Sequence, residues 1–440
     1  MELSSEDRLR LNVLLANRPQ AIRIDESRLI VYGLSPRGEA KVALNPSGPA
    51  EAYLRAVKEL ISGHVLGSPG GYPVYLRRWT RMGQMRDQSL EQLLMLGESE
   101  AVVAAVGSPG LTPELARRAW WAMEDAENAR RMLANPTIAA SEMGPLLADY
   151  LLEYLPFEIE HETMMDSVRL ILQPGLVSDE RIADLWRKSA RKPAYLIGFL
   201  RARPDDLPEQ PEPRADAEAI AAALTEELRA GNALAGLLVR VTSAGGQGFL
   251  KTLSAVLAKP PNQDIVSAGF DLLRGYFSVL RPAGDPDLTI DALLADGQAF
   301  VGLERQPPSL GPGAPASATV PAGSGSDSGS DSGSGPGPGA PGAEPGSEPA
   351  LEPLSNPLSP NVRRILDRLP DVAPDLAAMR VLSGAGYGLI RPLLPDPTTL
   401  GSLMRRKLTP VTEPLQARIA RLRGVSSAPW QTDPPRRRPI

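Results

Sequence analysis

The chain contains no cysteine among its 440 residues. That absence excludes disulfides, thiolate metal sites, iron–sulfur ligation and any thiol catalysis or persulfide relay carried by this polypeptide. A chain without disulfides fits a reducing compartment. Histidine is nearly as scarce, with His64 and His161 the only two. No apolar run approaches the ~20 residues that a membrane-spanning helix needs. The opening MELSSEDRLRLN has no apolar stretch of the kind that marks a secretory signal. These features imply a soluble cytoplasmic protein. The net charge of −5 excludes bulk attraction to nucleic acid and leaves only local basic patches for that purpose. G-x-S-x-G, H-E-x-x-H, Walker, Rossmann and EF-hand patterns are all missing. The sequence therefore nominates no catalytic residue and no cofactor, and the expectation is a protein that is not an enzyme.

What is present is punctuation. The chain holds 45 prolines and 40 glycines, which divide it into many short segments. Ser4–Asn17 reads as a helix with Ser4 as its cap and Leu9, Val13 and Ala16 on one face. Ala21–Asp25, Leu29–Leu34 and Ala40–Leu44 read as three strands of an antiparallel meander, separated by turn-forming residues. Ala50–Ser62 reads as a helix stopped at Gly63. Short helices then follow one another from residue 87 to 203, including one opened by Thr112-Pro113-Glu114 and another expected over Glu158–Leu172. After a stiff, acidic, proline-rich connector at 204–213, helices resume over 215–241, 248–257, 265–280 and 288–303. Residues 306–360 contain 13 prolines, 11 glycines and 11 serines, with no aromatic, lysine or arginine, which predicts disorder. Four short helices follow, expected over 361–369, 376–382, 398–408 and 413–422. The expected organisation is thus a small α+β unit at 1–86, a helical array at 87–203, a second helical unit at 214–305, a disordered linker at 306–360, and short helices with a basic tail at 361–440. The fold class is mainly α with a small N-terminal antiparallel β element.

Four constellations carry a chemical reading. Gly67-Ser68-Pro69-Gly70-Gly71 could present amides to an anion, but no Walker lysine follows, and the favoured account is a structural turn that aims an extended YPVYLRRW segment. Arg77, Arg78, Arg81 and Arg86 alternate with Tyr72, Tyr75 and Trp79. That mixture suits a protein-partner hot spot, suits a single-stranded nucleic-acid surface, and also suits plain packing against the helices. Trp120 and Trp121 follow Arg117 and Arg118 on one helix; adjacent residues point apart, so one is expected in the core and the other partly outside. Glu158, His161 and Glu162 could meet one ion if all three lay on a helix. They supply only half of a di-iron carboxylate pattern, and a solvated helix face is the simpler account.

Several stretches also resemble a known family. DRLRLNVLLANRPQAIRIDESRLIVYGLSPRGEAKV, HVLGSPGGYPVYLRRWTRMGQMR, SLEQLLMLGESEAVVAAV and LARRAWWAMEDAENARRML look like the sulfur reduction protein DsrS family. The resemblance covers roughly residues 1–200. It implies a cytoplasmic accessory or regulatory protein of the dissimilatory sulfur-oxidation pathway, and it transfers no active-site residue. The favoured reading is a non-enzymatic protein that docks on a partner of the sulfur-oxidation system or its expression machinery, with Arg77, Arg78, Trp79, Arg81, Arg86, Trp120 and Trp121 as contacts. RNA binding by the same arginines and the basic tail is the alternative, and a metalloenzyme built on Glu158, His161 and Glu162 is a third.

Overall fold

The structure, a computed structural model, describes residues 2–73, 87–302, 358–395 and 399–425. It is mainly helical, with one small antiparallel sheet near the N-terminus. Helix α1 (Ser5–Ala16) is capped by the Ser4 hydroxyl, which accepts the amide of Asp7 at 3.1 Å. Strands β1 (Ala21–Asp25), β2 (Ile30–Ser35) and β3 (Gly38–Ala43) form a meander in sequence order. Helix α2 (Ala50–Leu66) covers it, running three residues past Gly63 to a left-handed stop at Gly67. A core of its own, with Leu11, Leu15, Ile22, Val31, Tyr53, Val57 and Ile61, holds this unit together. The face of α1 differs from the expected one. Leu11, Leu14 and Leu15 point inward while Leu9 and Val13 are exposed. The reason lies in Asp7, which is buried and accepts hydrogen bonds from the Asn45 amide at 2.8 Å and the Tyr53 hydroxyl, and so fixes the rotation of the helix.

The remaining elements form a helical array: α3 (Asp87–Leu94), α4 (Ser99–Val106), α5 (Pro113–Ala122), α6 (Ala126–Leu133), α7 (Pro136–Ala139), α8 (Met143–Tyr154), α9 (His161–Ile171), α10 (Asp179–Ser189) and α11 (Pro193–Ala202). The segment expected as one helix over 215–241 is three: α12 (Ala217–Ala223), α13 (Thr225–Arg229) and α14 (Ala233–Thr242). Gly231, at φ +73°, breaks the run, and Asn232 caps the next helix by accepting the Leu234 amide. Helices α15 (Ala244–Ala258), α16 (Gln263–Tyr276) and α17 (Ile290–Phe300) follow, then α18 (Pro360–Arg368), α19 (Ala373–Leu382), α20 (Tyr387–Ile390) and α21 (Gly401–Leu422). Here the two helices expected over 398–408 and 413–422 are a single one. Pro410 and Pro414 lie inside it without ending it. Met404, Leu408, Val411, Leu415, Ile419 and Leu422 recur every three or four positions and are all buried, so packing of one continuous face outweighs the two missing amides.

One core runs from Leu90 to Leu422. Helix α11 packs on α9 and α10 in the first half and on α15 and α16 in the second, so the 214–305 helices are docked on the first array. The helices after residue 360 join the same core, α19 against α17 and α21 against α15 and α19. Most of the expected linker lies outside the described residues. Its two flanks meet: a Cβ placed on Gly302 would sit 3.4 Å from Leu358 Cδ1. No helix among the described residues is long and apolar enough to cross a membrane.

One contact seats α11 within the first array, and a second ties the connector to the second half. At α9–α11, a Cβ on Gly198 would come within 2.5 Å of Val168 Cβ, so only glycine allows this approach. The acidic connector is clamped by Asp205, which accepts the Tyr276 hydroxyl at 2.7 Å and pairs with Arg240 at 2.6 Å; the Arg240 guanidinium lies 3.8 Å from the Tyr276 ring centroid. Gly245, which opens α15, leaves room for the Asp205 carbonyl. Burial, with the Asp205 hydrogen bond next, holds the Tyr276 phenol well above its usual value.

Gly198→Ala is expected to cost about 1–3 kcal/mol by overpacking, read as a lower urea midpoint. Tyr276→Phe should cost about 1 kcal/mol at neutral pH through its lost hydrogen bond. Because the folded-state pKa of Tyr276 is raised, its contribution is complete below the unfolded value of about 10 and declines as pH rises beyond it. Urea midpoints of wild type should therefore fall more steeply than those of Tyr276→Phe between neutral pH and pH above about 10.

Candidate functional site

Arg77, Arg78, Trp79, Arg81 and Arg86 lie outside the described residues. The Gly67–Gly71 turn before them is described. The Ser62 hydroxyl donates to the Ser68 carbonyl at 2.9 Å and accepts the Gly71 amide at 2.8 Å, and the Tyr72 amide donates to Glu98 at 3.2 Å. Two of the amides that an anion would use are thus taken by the protein itself. Residues 71–73 make a helical turn where extended chain is expected, since Glu98 receives the Tyr72 amide at its start.

The two adjacent tryptophans of α5 root two different surfaces. The Thr112 hydroxyl accepts the Leu115 amide at 3.3 Å and Pro113 occupies the first turn, which sets where the helix begins. Trp121 is half-buried at the seam with the sheet. Its indole N–H donates to Glu39 at 3.0 Å, and the Arg23 guanidinium is held 4.9 Å from its ring and 4.7 Å from that of Tyr32. A cleft of about 440 Å³ opens beside it, lined by Arg23, Arg28, Tyr32, Glu98, Ser99 and Met123. Its arginines are already paired, Arg23 with Glu39 at 3.4 Å and Arg28 with Asp25 at 3.9 Å. This seam is built to hold the sheet on the array.

Trp120 points the other way, into the core, 7 % exposed. Its ring meets Tyr150 edge-on at 4.8 Å. Tyr150 stacks with Tyr154 at 6.1 Å, and Tyr154 meets Phe157 at 6.2 Å. The rings thus climb from the core to the surface, where Tyr154 is 41 %, Phe157 73 % and Ile159 81 % exposed. Leu146, Tyr150 and Tyr154 are spaced by four along α8, so they form one stripe, and Leu146 is also exposed. Pro156, within a single 3-10 turn over Leu155–Phe157, ends α8 and turns Phe157 outward. Burial first, then the nearby Asp125, raises the Tyr150 phenol above its usual value. No motif in the sequence marks this ridge. Residues 132–168 hold seven carboxylates and no lysine or arginine, yet four of the seven are paired with arginines from outside the stretch, which leaves Glu153 and Glu160 flanking the exposed rings without an ion pair among the described residues.

Glu158, His161 and Glu162 do not converge. Glu158 is extended, at ψ 136°, and α9 begins only at His161, so the three never share a helix face. Glu158 pairs with Arg130, the His161 Nδ1 lies 3.2 Å from the Asn262 amide nitrogen, and Glu162 pairs with Arg201 at 2.9 Å. Among the described residues no group of three His, Cys, Asp or Glu side chains is placed to hold a metal ion.

The basic C-terminal residues, expected as a tail, are partly built into the fold. Asp375, nearly buried, receives Arg214 and Arg421, each at 2.8 Å, on the wall of a second cleft of about 660 Å³. Arg405 donates to the Pro260 carbonyl at 3.4 Å. Burial lowers the Arg418 and Arg423 guanidinium pKa values. Arg436, Arg437 and Arg438 lie outside the described residues. No protein-family model matches this chain, and neither a curated protein nor a solved structure matches it.

The ring ladder separates structural from surface roles. Trp120→Ala should destabilise by about 3–5 kcal/mol, whereas Phe157→Ala should stay within about 0.5 kcal/mol of wild type in urea unfolding. A comparable loss for both would make Phe157 a core residue and remove the ridge as a surface.

Proposed function

We propose that this chain is a non-enzymatic accessory protein that works by docking on a protein partner. The observation that carries the reading is the Tyr150–Tyr154–Phe157 ladder, which ends in large apolar side chains left in water. Exposed aromatic and aliphatic groups that form one continuous patch mark interaction sites, and isolated ones do not. Aromatic anchors lose little side-chain entropy on binding and dominate interface energetics. The DsrS-like stretches in the first 200 residues support a partner in the cytoplasmic sulfur-oxidation system or its expression machinery. Arg77, Arg78, Trp79, Arg81 and Arg86 remain candidate contacts of the same kind. The lack of cysteine suits an indirect part in sulfur chemistry, since persulfide transfer needs a thiolate on the carrier.

The test is affinity capture by the full-length chain from cells oxidising sulfur compounds, with captured proteins identified by mass spectrometry. Wild type is compared with Phe157→Ala/Ile159→Ala and with Arg77→Ala/Arg78→Ala/Trp79→Ala, each with and without RNase. The expected outcome is a defined set of proteins lost from the Phe157→Ala/Ile159→Ala sample and indifferent to RNase. Recovery that collapses with RNase, and that falls steeply with added salt, would instead establish the RNA-binding alternative. Identical recovery from wild type and both variants would end the docking reading.

A further inference from the structure

We infer that the ridge from Leu146 to Ile159 receives a basic amphipathic segment of the partner, in which lysine or arginine alternates with apolar side chains at helical spacing. The inference rests on the docking reading above and names the chemistry of the occupant.

Charge supports it first. Glu153 precedes Tyr154 and Glu160 follows Ile159; both are exposed, and neither makes an ion pair among the described residues. Glu124, also exposed and without an ion pair there, and Asp125 lie close enough to Tyr150 to raise its phenol pKa, behind the larger effect of burial. On α8 the stripe of Leu146, Tyr150 and Tyr154 is bordered by Glu142, Asp149 and Glu153, which helical arithmetic places within one neighbouring strip. Of these only Asp149 is paired, with Arg181. Arginines from outside the stretch 132–168 pair with four of its seven carboxylates, Asp149, Glu158, Glu162 and Asp166, and Arg117 lies near Glu142, so the negative charge left on the ridge is carried by Glu153 and Glu160, with Glu124 beside them. Phosphate-bearing surfaces would meet this field with repulsion, so neither nucleic acid nor an anionic membrane suits the ridge. A lysine or arginine would meet carboxylates for pairing and ring faces for cation–π contact.

Spacing supports it second. The ring-to-ring steps are 6.1 and 6.2 Å. Residues four apart on an α-helix rise by about 6 Å. A partner helix with apolar residues at i and i+4 would therefore seat them along the ladder, with its basic residues turned to the carboxylate border.

The experiment uses the full-length chain and a fluorescently labelled synthetic amphipathic helix of leucine and lysine, with the leucine–glutamate counterpart, a homopolymeric RNA and phosphatidylglycerol-containing vesicles as competing probes. Anisotropy titration should show the leucine–lysine peptide bound at least about tenfold more tightly than the leucine–glutamate peptide. Glu153→Lys/Glu160→Lys and, separately, Phe157→Ala should each weaken it by about tenfold. Circular dichroism confirms that the variants stay folded. Equal binding of the two peptides overturns the inference, as does leucine–lysine binding that survives Phe157→Ala, or RNA or vesicle binding that Phe157→Ala abolishes. If the leucine–lysine peptide fails to bind while Phe157→Ala/Ile159→Ala still loses its cellular partners, the charge assignment is wrong and the docking surface stands. If that variant keeps every cellular partner, the docking reading itself has failed.

Discussion

The distance between α9 and α11 is set by a missing side chain. With only hydrogen at residue 198, α11 lies directly on Val168 and the Met165 carbonyl. The second half packs on α11 through α15 and α16, and α16 also meets α9. A protein interior packs like a solid, so a shift of one element by a fraction of an ångström is passed to its neighbours and not absorbed. The Asp205–Tyr276–Arg240 clamp acts beside this contact by fixing the connector that leaves α11. The result is a single body in which segments far apart in sequence share one core.

Much of the architecture was legible because it depends on local signals. Gly/Pro punctuation and capping residues such as Thr112 and Ser359 mark helix starts directly, and β-branched runs between turn residues mark the meander. The misreadings share a cause. The face of α1 was decided by a buried carboxylate, Asp7, that no hydrophobic pattern would place inside. The continuity of α21 through two prolines was decided by a buried face six residues long. In each case a tertiary contact overruled a local rule.

The candidate site was less legible than the fold. The tandem tryptophans drew attention to α5, yet a tryptophan is conspicuous in sequence whether it packs or binds. Trp120 and Trp121 turned out to anchor surfaces built by other residues: Tyr150, Tyr154 and Phe157 on one side, Arg23 and Glu39 on the other. What distinguishes the first surface is a run of exposed apolar side chains flanked by Glu153 and Glu160, which have no ion-pair partner among the described residues. Motif reading, which looks for a few residues at fixed spacing, passes over a signal of that kind. The Glu158–His161–Glu162 cluster shows why compact spacing alone is weak evidence: the helix begins only at His161, and the three side chains go to separate partners.

The contact between Gly302 and Leu358 has a topological consequence. Gly302 and Leu358 lie side by side, so the two points that residues 303–357 connect are already close together in space. Closure entropy grows with the logarithm of loop length, about 0.6 kcal/mol for each doubling. The number of residues passing between those two points is therefore almost free to drift without disturbing the fold. Severing the chain between Gly302 and Leu358 would leave two polypeptides still joined by the α17–α19 and α15–α21 packing, so covalent continuity between those points is not what holds the last four helices in place.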